Sequence, residues 1–476
     1  MQHINSFING EFVSSGKRQI EKIYPATGEI IAMVDCASPE MLDQAVAVAA
    51  RAQKDWAATS SQDRSRILHK VAAALHDANE ELSRLEVQDV GKLYSEAVTG
   101  DVPSGADAYE YFANLTATMT GTSHQWDGAL GYTRRVPLGV CAGIGAWNYP
   151  AQIACWKSAP ALAAGNAFIL KPSEETPLVA QRIVEIAHEA GLPKGLLQIL
   201  QGDHEIGAAM CAHPGIAKIS LTGGVDTGKL ILKQAADSLK KVTLELGGKA
   251  PLVIFDDADF ELAVQTAMDA NFYTAGEVCS NATRVFIQEG IAEKVIAEMV
   301  KRAAEMRIGD PMSDDVQMGA IISAEHQKRV LDYIQIGVDE GAVIATGGKA
   351  AHPQGFENGF FIEPTIMTHC HDDMRIVKEE IFGPVMSVLT FKTEEEAIAR
   401  ANQTEFGLGA GLITSDLSRA HRVADALEAG NVWINSYNLI PPDWPFGGIK
   451  QSGFGRESSH YAIEAYSEVK AVYIQL

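Results

Sequence analysis

The sequence predicts an α/β fold arranged as two lobes, and three observations carry that expectation. Short apolar runs alternate with amphipathic segments, the pattern of strands interleaved with helices. At 476 residues the chain is long enough for two or three domains, each with an ordinary core. The strand-and-helix rhythm also starts afresh beyond Cys279, which places that residue near the opening of the second lobe.

Taken in order, Ser38-Pro39 opens a helical segment that runs to Trp56, with a capping hydroxyl followed by proline at the first helical position. Buried strands are expected at Val140–Ile144 and Ala167–Leu170. A helix then begins with Thr176 as cap and Pro177 at its first position. Val179, Ile183, Ile186, Ala187 and Ala190 form its apolar stripe, and Gly191 and Pro193 end it. Ile216–Leu221 and Leu252–Phe255 read as further buried strands. The second lobe adds Val285–Ile287, Val385–Phe391 and Asn431–Asn435. Neither a tandem repeat nor a low-complexity linker interrupts the pattern.

Composition narrows the function. The chain is 46% hydrophobic and 21% charged, as soluble globular proteins are. Its net charge of −22, spread along the sequence and without a dense basic run, argues against nucleic acid as a partner. The N-terminus has no basic segment followed by an apolar one, and no apolar stretch reaches about 18 residues, so neither a secretory leader nor a membrane span is expected. The six cysteines lie far apart and form no C-x-x-C pair, which argues against a zinc cage or a disulfide framework. A reduced, cytoplasmic protein is the simplest expectation.

Four segments hold residues suited to chemistry. Cys279 lies in Gly-Glu-Val-Cys-Ser-Asn, a polar, turn-prone setting where helix N-terminal amides would stabilise a thiolate. A lone cysteine is more often a small buried hydrophobe. Glu245, in Leu-Glu-Leu-Gly-Gly-Lys, is costly to bury unless its raised pKa serves a general base; a strand-end Glu in solvent is the plain alternative. Leu221–Lys229 approaches a phosphate loop, but Leu230 stands where a magnesium-binding hydroxyl belongs. A nucleoside triphosphatase is therefore disfavoured, while a dinucleotide pyrophosphate still suits a glycine turn that opens a helix. The G-x-G-x-x-G fingerprint is missing, since Gly143 and Gly145 are followed by Asn148. Lys171-Pro-Ser-Glu174, at the end of an apolar run, places a charged pair where ribose hydroxyls bind or where a surface strand simply turns.

Together, in this order and spacing, the segments resemble the aldehyde dehydrogenase superfamily over essentially the whole chain. The matching strings are Gly145-Ala-Trp-Asn-Tyr-Pro150, Lys171-Pro-Ser-Glu174, Leu244-Glu-Leu-Gly-Gly-Lys249, the Cys279 segment, Glu379-Glu-Ile-Phe-Gly-Pro384, and Pro445-Phe-Gly-Gly448 through Ser452-Gly-Phe-Gly-Arg-Glu457. The resemblance implies an NAD-dependent enzyme with a Rossmann-type cofactor domain (1–118 and 139–248), a catalytic domain (249–459) and a small β bridging element (119–138 and 460–476). That element would pair subunits into dimers or tetramers. Cys279 would be the nucleophile and Glu245 the base that activates water. Asn148 would share the oxyanion hole with the Cys279 amide, and Lys157 and Glu457 would relay protons. Gly145, Ala146, Trp147, Ser173, Gly223, Gly224, Thr227 and Gly247 would hold the cofactor. Lys171 and Glu174 would take the adenosine ribose, and Glu380 and Phe382 the nicotinamide end.

Within the superfamily, Asn148-Tyr-Pro-Ala-Gln-Ile-Ala-Cys-Trp-Lys157 and Thr222-Gly-Gly224 resemble the betaine aldehyde branch. Tyr149, Trp156, Tyr273, Trp444 and Phe446 would then offer aromatic faces to a quaternary ammonium. The loop Asn438–Trp444 departs from that branch, which keeps open a longer trimethylammonium aldehyde, such as trimethylaminobutyraldehyde, or an aminoaldehyde. Glu277 stands where the family more often has Gln; ionised and close, it would raise the pKa of the Cys279 thiol. Some relatives hold potassium, and Ile23 and Asp89 match one such site. Two rivals of other classes are a cofactor-free Cys–Glu–Lys hydrolase of amidase or nitrilase type and an inactive scaffold that keeps only the fold.

Overall fold

The structure is a computed structural model and describes residues 2–476. Among the described residues, eight strands form one sheet. Its parallel centre runs in space Lys241–Glu245, Lys218–Thr222, Val140–Ile144, Ala167–Lys171, Leu197–Ile199. Val140–Ile144 and Ala167–Lys171 are buried along their whole length, as strands covered on both faces are. Chain order therefore reverses between Val140–Ile144 and Lys218–Thr222. Such a reversal opens a crevice at the strands' carboxyl ends, where ligands bind in open α/β sheets.

Seven strands form a second, mostly parallel sheet. Arg284–Gln288 and Pro251–Ile254 lie at its middle, with Val385–Phe391, Gly409–Ile413 and Asn431–Ile434 around them. Each of these two sheets has its own apolar core, one holding Leu162, Phe168 and Val184, the other Val285, Phe286 and Leu412. All seven anticipated strands are present within two residues of the expected ends.

A third sheet is antiparallel. The hairpin Ser123–Trp126 and Ala129–Pro137 pairs with the C-terminal strand Ser467–Gln475, which follows a short helix at Ser459–Ala465. At the N-terminus, Gln2–Ile4, Glu29–Asp35 and Gln19–Tyr24 make a further small sheet.

Helix ends follow the sequence in one case and depart from it in another. Ser38 caps Pro39–Ala58 by accepting the Met41 amide. The helix after Lys171–Glu174 instead starts at Leu178, and Thr176 does not cap it: the Thr176 hydroxyl is buried without a partner. The Asp89 carboxylate, from a helix distant in sequence, accepts the Leu178 and Val179 amides at 3.3 and 2.9 Å. A carboxylate serves a helix N-terminus better than a hydroxyl because it also meets the positive end of the dipole.

Candidate active site

A cavity of about 680 Å³ opens where the strand order reverses. Residues that follow three parallel strands reach its wall: Ala146–Asn148 after Val140–Ile144, Gly223 and Gly224 after Lys218–Thr222, and Leu246 and Gly247 after Lys241–Glu245. Cys279 faces them from the segment between the helix Phe260–Phe272 and the strand Arg284–Gln288.

That segment is strained. Thr274 and Ala275 adopt φ of 48° and 49°, a left-handed conformation unfavourable for residues with a Cβ. Glu96 accepts the Thr274 amide at 2.8 Å, and the Tyr149 hydroxyl lies 2.9 Å from the Thr274 hydroxyl. Gly276 presses on the backbone of Gly383, where a Cβ would come within 2.3 Å. No helix N-terminus supports Cys279, contrary to expectation, because the chain leaves one helix here and enters a strand. The backbone amides of Cys279 and Ser280 favour the thiolate instead. Burial nevertheless pushes the Cys279 thiol up to about 12, with the Glu380 and Glu245 carboxylates adding to the effect.

Asn148 donates its side-chain amide to the Glu277 carbonyl at 2.9 Å, which fixes it beside the cysteine segment. Glu245 ends its strand in the cavity wall, 5% exposed, with neither carboxylate oxygen hydrogen-bonded. Burial holds it well above the usual carboxylate range; Glu457 raises it further, while Lys157 and Arg456 pull it back. Lys157 donates to Glu457 at 2.6 Å and to Ser220 at 2.9 Å, a buried chain that reaches the cavity.

Glu277 does not act on the thiol in the way its position threatens. It is fully buried, and burial holds its carboxyl well above the usual range, which disfavours the charged form that would act on the sulfur. One of its oxygens accepts the Ile322 amide at 3.0 Å.

Ala146, Trp147, Gly223, Gly224, Gly247, Glu380 and Phe382 line the cavity. Gly145, Lys171, Ser173, Glu174 and Thr227 are not in its wall, although Glu175 and Ala146, their neighbours in sequence, are. Gly224 begins the helix Val225–Ala236 with no side-chain cap and open space where a Cβ would be, so amides are free to meet an anion. Glu380 accepts the Gly248 amide at 2.9 Å, and a side chain at Gly247 would collide with it. The Trp147 and Phe382 rings meet edge to face at 5.1 Å. Lys171 and Glu174 pair with each other at 3.1 Å.

The aromatic set is split. Tyr149, Trp156, Tyr273 and Phe446 line the cavity; Trp444 does not, and is 59% exposed. Only the start of its loop, Asn438–Ile440, reaches the wall among the described residues.

The residues present at Ile23 and Asp89 do not fit a potassium ion. The ammonium of Lys22 donates to both backbone carbonyls at 2.7 Å.

Sequence reasoning missed several lining residues. Thr99 and Gly100 come from a π-helical turn at Ala97–Asp101 that no composition rule announces. His326 lines the wall, donates to the Phe382 carbonyl at 2.6 Å and packs on Trp147, with burial driving its pKa down to about 4. Its bond pins Phe382, a non-glycine residue at φ 64°.

Comparison with known proteins gives a consistent result. The aldehyde dehydrogenase family profile matches residues 12–472. A Rhizobium etli protein named betaine aldehyde dehydrogenase is 52% identical over 470 residues, covering 98% of this chain and 96% of that protein. One of the same name from Brucella anthropi is 51% identical, covering 99% of this chain and 97% of that protein. Among solved structures, an NAD+ complex of betaine aldehyde dehydrogenase from Staphylococcus aureus superposes with a TM-score of 0.96 at 37% identity, covering 99% of this chain and 95% of that one. The NAD+ complex of an aldehyde dehydrogenase from Bacillus cereus gives 0.97 at 42% identity, covering 100% of this chain and 97% of that one.

Proposed function

The chain belongs to the aldehyde dehydrogenase family, and from that premise we propose that it oxidises betaine aldehyde to glycine betaine with NAD. The observation that carries this reading is the meeting, in one cavity, of Cys279, the unpartnered carboxylate of Glu245 and the aromatic faces of Trp156, Tyr273 and Phe446.

In the proposed cycle the Cys279 sulfur attacks the aldehyde carbon. A thiol near 12 is protonated at rest, so its proton passes to solvent water as the sulfur attacks and returns to the sulfur when the acyl group leaves. Asn148 and the Cys279 amide stabilise the oxyanion. NAD, when bound, supplies the acceptor for the hydride that leaves the substrate carbon. Water then hydrolyses the acyl group on the Cys279 sulfur, Glu245 takes the water's proton, and Glu457 and Lys157 carry it away. The uncapped amides after Gly224 suit the pyrophosphate, Trp147, Glu380 and Phe382 suit the nicotinamide end, and Lys171 with Glu174 suits the adenosine ribose. A carboxylate at Glu174 favours NAD over NADP, whose 2′-phosphate would meet a like charge.

The same reading assigns 1–118 and 139–248 to the cofactor, 249–459 to catalysis, and 119–138 with 460–476 to self-association. The largely exposed edge strand Ser467–Gln475 supports pairing with a second copy. A cytoplasmic location is consistent with six free cysteines. Among the described residues no helix is long and apolar enough to cross a membrane. Family membership leaves the cofactor-free hydrolase without support.

The test is NADH production across a panel of aldehydes that includes betaine aldehyde, trimethylaminobutyraldehyde, an aminoaldehyde and an uncharged aldehyde of similar size. Betaine aldehyde should give the highest kcat/KM. Equal or better turnover of the uncharged compound would remove the quaternary-ammonium assignment.

A further inference from the structure

Lys22 is among the largest fully buried side chains in the molecule, although it sits on a strand, Gln19–Tyr24, whose ends are partly exposed. Its pairing with Glu29–Asp35 shifts register between Lys22 and Ile23. Such an irregularity turns a side chain and a carbonyl away from their regular directions. Here the Lys22 ammonium lies 2.7 Å from the Ile23 carbonyl and 2.7 Å from the Asp89 carbonyl.

The second of those contacts is at a helix end. Asp89 stands in the last turn of Asn79–Val90, where carbonyls lack intrahelical partners and the helix dipole favours a cation. The Asp89 carboxylate points the other way and accepts the Leu178 and Val179 amides. Lys22 and Asp89 together therefore join three elements: the N-terminal strand, the end of Asn79–Val90, and the start of Leu178–Glu189. The last of these begins directly after the Lys171–Glu174 turn.

We propose that Lys22 is a tethered internal cation that stands in for a monovalent metal ion at this junction. Two backbone carbonyl oxygens are hard oxygen donors of the kind that hold alkali and alkaline-earth ions. In this chain the donors are already used by an ammonium at hydrogen-bond distance. A second positive charge would have to enter beside the first, in a buried site where like charges repel strongly. The junction, and the ribose-side turn that precedes its helix Leu178–Glu189, are thus independent of potassium.

The experiment compares thermal unfolding in potassium chloride with unfolding in choline chloride of equal ionic strength, after exhaustive exchange into choline. Wild type should unfold at the same midpoint in both salts and retain no stoichiometric potassium by elemental analysis. A potassium-specific rise in its midpoint, or potassium retained at one ion per chain, overturns the proposal. Lys22→Ala empties the donor set and should unfold earlier in choline, with part of the loss restored by potassium. Lys22→Met fills the same space without charge and should unfold earlier with no restoration. Failure of every monovalent cation to restore Lys22→Ala would show that the donor set is no cation site, and the proposal falls. Should Lys22→Ala not fold, the wild-type comparison still decides, since it depends on no variant.

Discussion

The ammonium of Lys92 sits 3.8 Å from the centre of the Tyr149 ring, so an internal cation already occupies one aromatic face at the cavity. Glu86 and Asp101 hold Lys92 there, at 3.0 and 2.7 Å, all three side chains being buried. A substrate cation near Tyr149 would meet a ring whose π density is partly spent, while Trp156 has no such partner among the described cation–ring pairs. Trp156→Ala should therefore raise the KM for betaine aldehyde several-fold, in line with roughly 0.5–2 kcal/mol for a cation–π contact. An uncharged aldehyde of similar size should suffer much less. Equal losses for both would reduce Trp156 to a packing residue.

Cys279→Ala should abolish dehydrogenase activity and leave NAD affinity close to that of wild type. The sulfur makes the covalent bond, whereas the cofactor is held by the glycine turns and by Glu380 and Phe382. Steady-state turnover and fluorescence titration with NADH measure the two quantities separately. Residual turnover above about one part in a thousand would contradict the nucleophile assignment.

Much of this site is visible in the sequence, because its residues follow buried strands that are themselves easy to read. Val140–Ile144 and Ala167–Lys171 are short apolar runs, with Ala146–Asn148 and the Lys171–Glu174 turn at or just beyond their carboxyl ends. Lys241–Glu245, by contrast, with lysine, threonine and glutamate among its five residues, is a strand the apolar pattern does not announce. What escapes a linear reading depends on contacts between distant segments. Asp89 replaces Thr176 as the cap of a helix nearly ninety positions away, and Lys22 fills the carbonyls at Ile23 and Asp89. The π-turn that brings Thr99 and Gly100 to the cavity has no compositional mark. Trp444 is the opposite case. Its residue type fits a cation cage, but it follows two prolines in an exposed loop and points elsewhere.

Glu277 yields a prediction about stability. Its folded pKa lies well above that of an exposed glutamate, about 4.3, so folding holds a proton that the unfolded chain releases as pH rises. The stability linked to that proton is full below the unfolded value and is lost progressively as pH climbs toward the folded one. Glu277→Gln has the shape of the protonated acid and does not titrate. The variant should match wild type in acid and become the more stable of the two toward neutral and alkaline pH. Denaturant midpoints across pH check this, and a constant difference at all pH values would show that Glu277 does not titrate with folding.

Glu245 carries the most demanding test. Glu245→Gln has no basic oxygen, so if Glu245 acts chiefly on water the variant should release a burst of NADH and then stall at the acyl-enzyme. Loss of the burst as well would mean that Glu245 also takes the thiol proton, which a Cys279 pKa near 12 makes chemically reasonable. The second arm uses pH. Glu245 must be ionised to act, and burial and the Glu457 charge both hold its pKa high, so the wild-type hydrolysis rate should rise with pH above the range in which exposed carboxylates ionise. Glu457→Gln removes one of the two causes and leaves the Lys157 ammonium to favour the Glu245 carboxylate. The rising limb should then move to lower pH, even where the maximal rate falls because the relay is cut. Single-turnover hydrolysis followed against pH gives both quantities. A limb that stays in place would mean that the charge of Glu457 is not felt at Glu245, and the two carboxylates would have to be treated as independent groups.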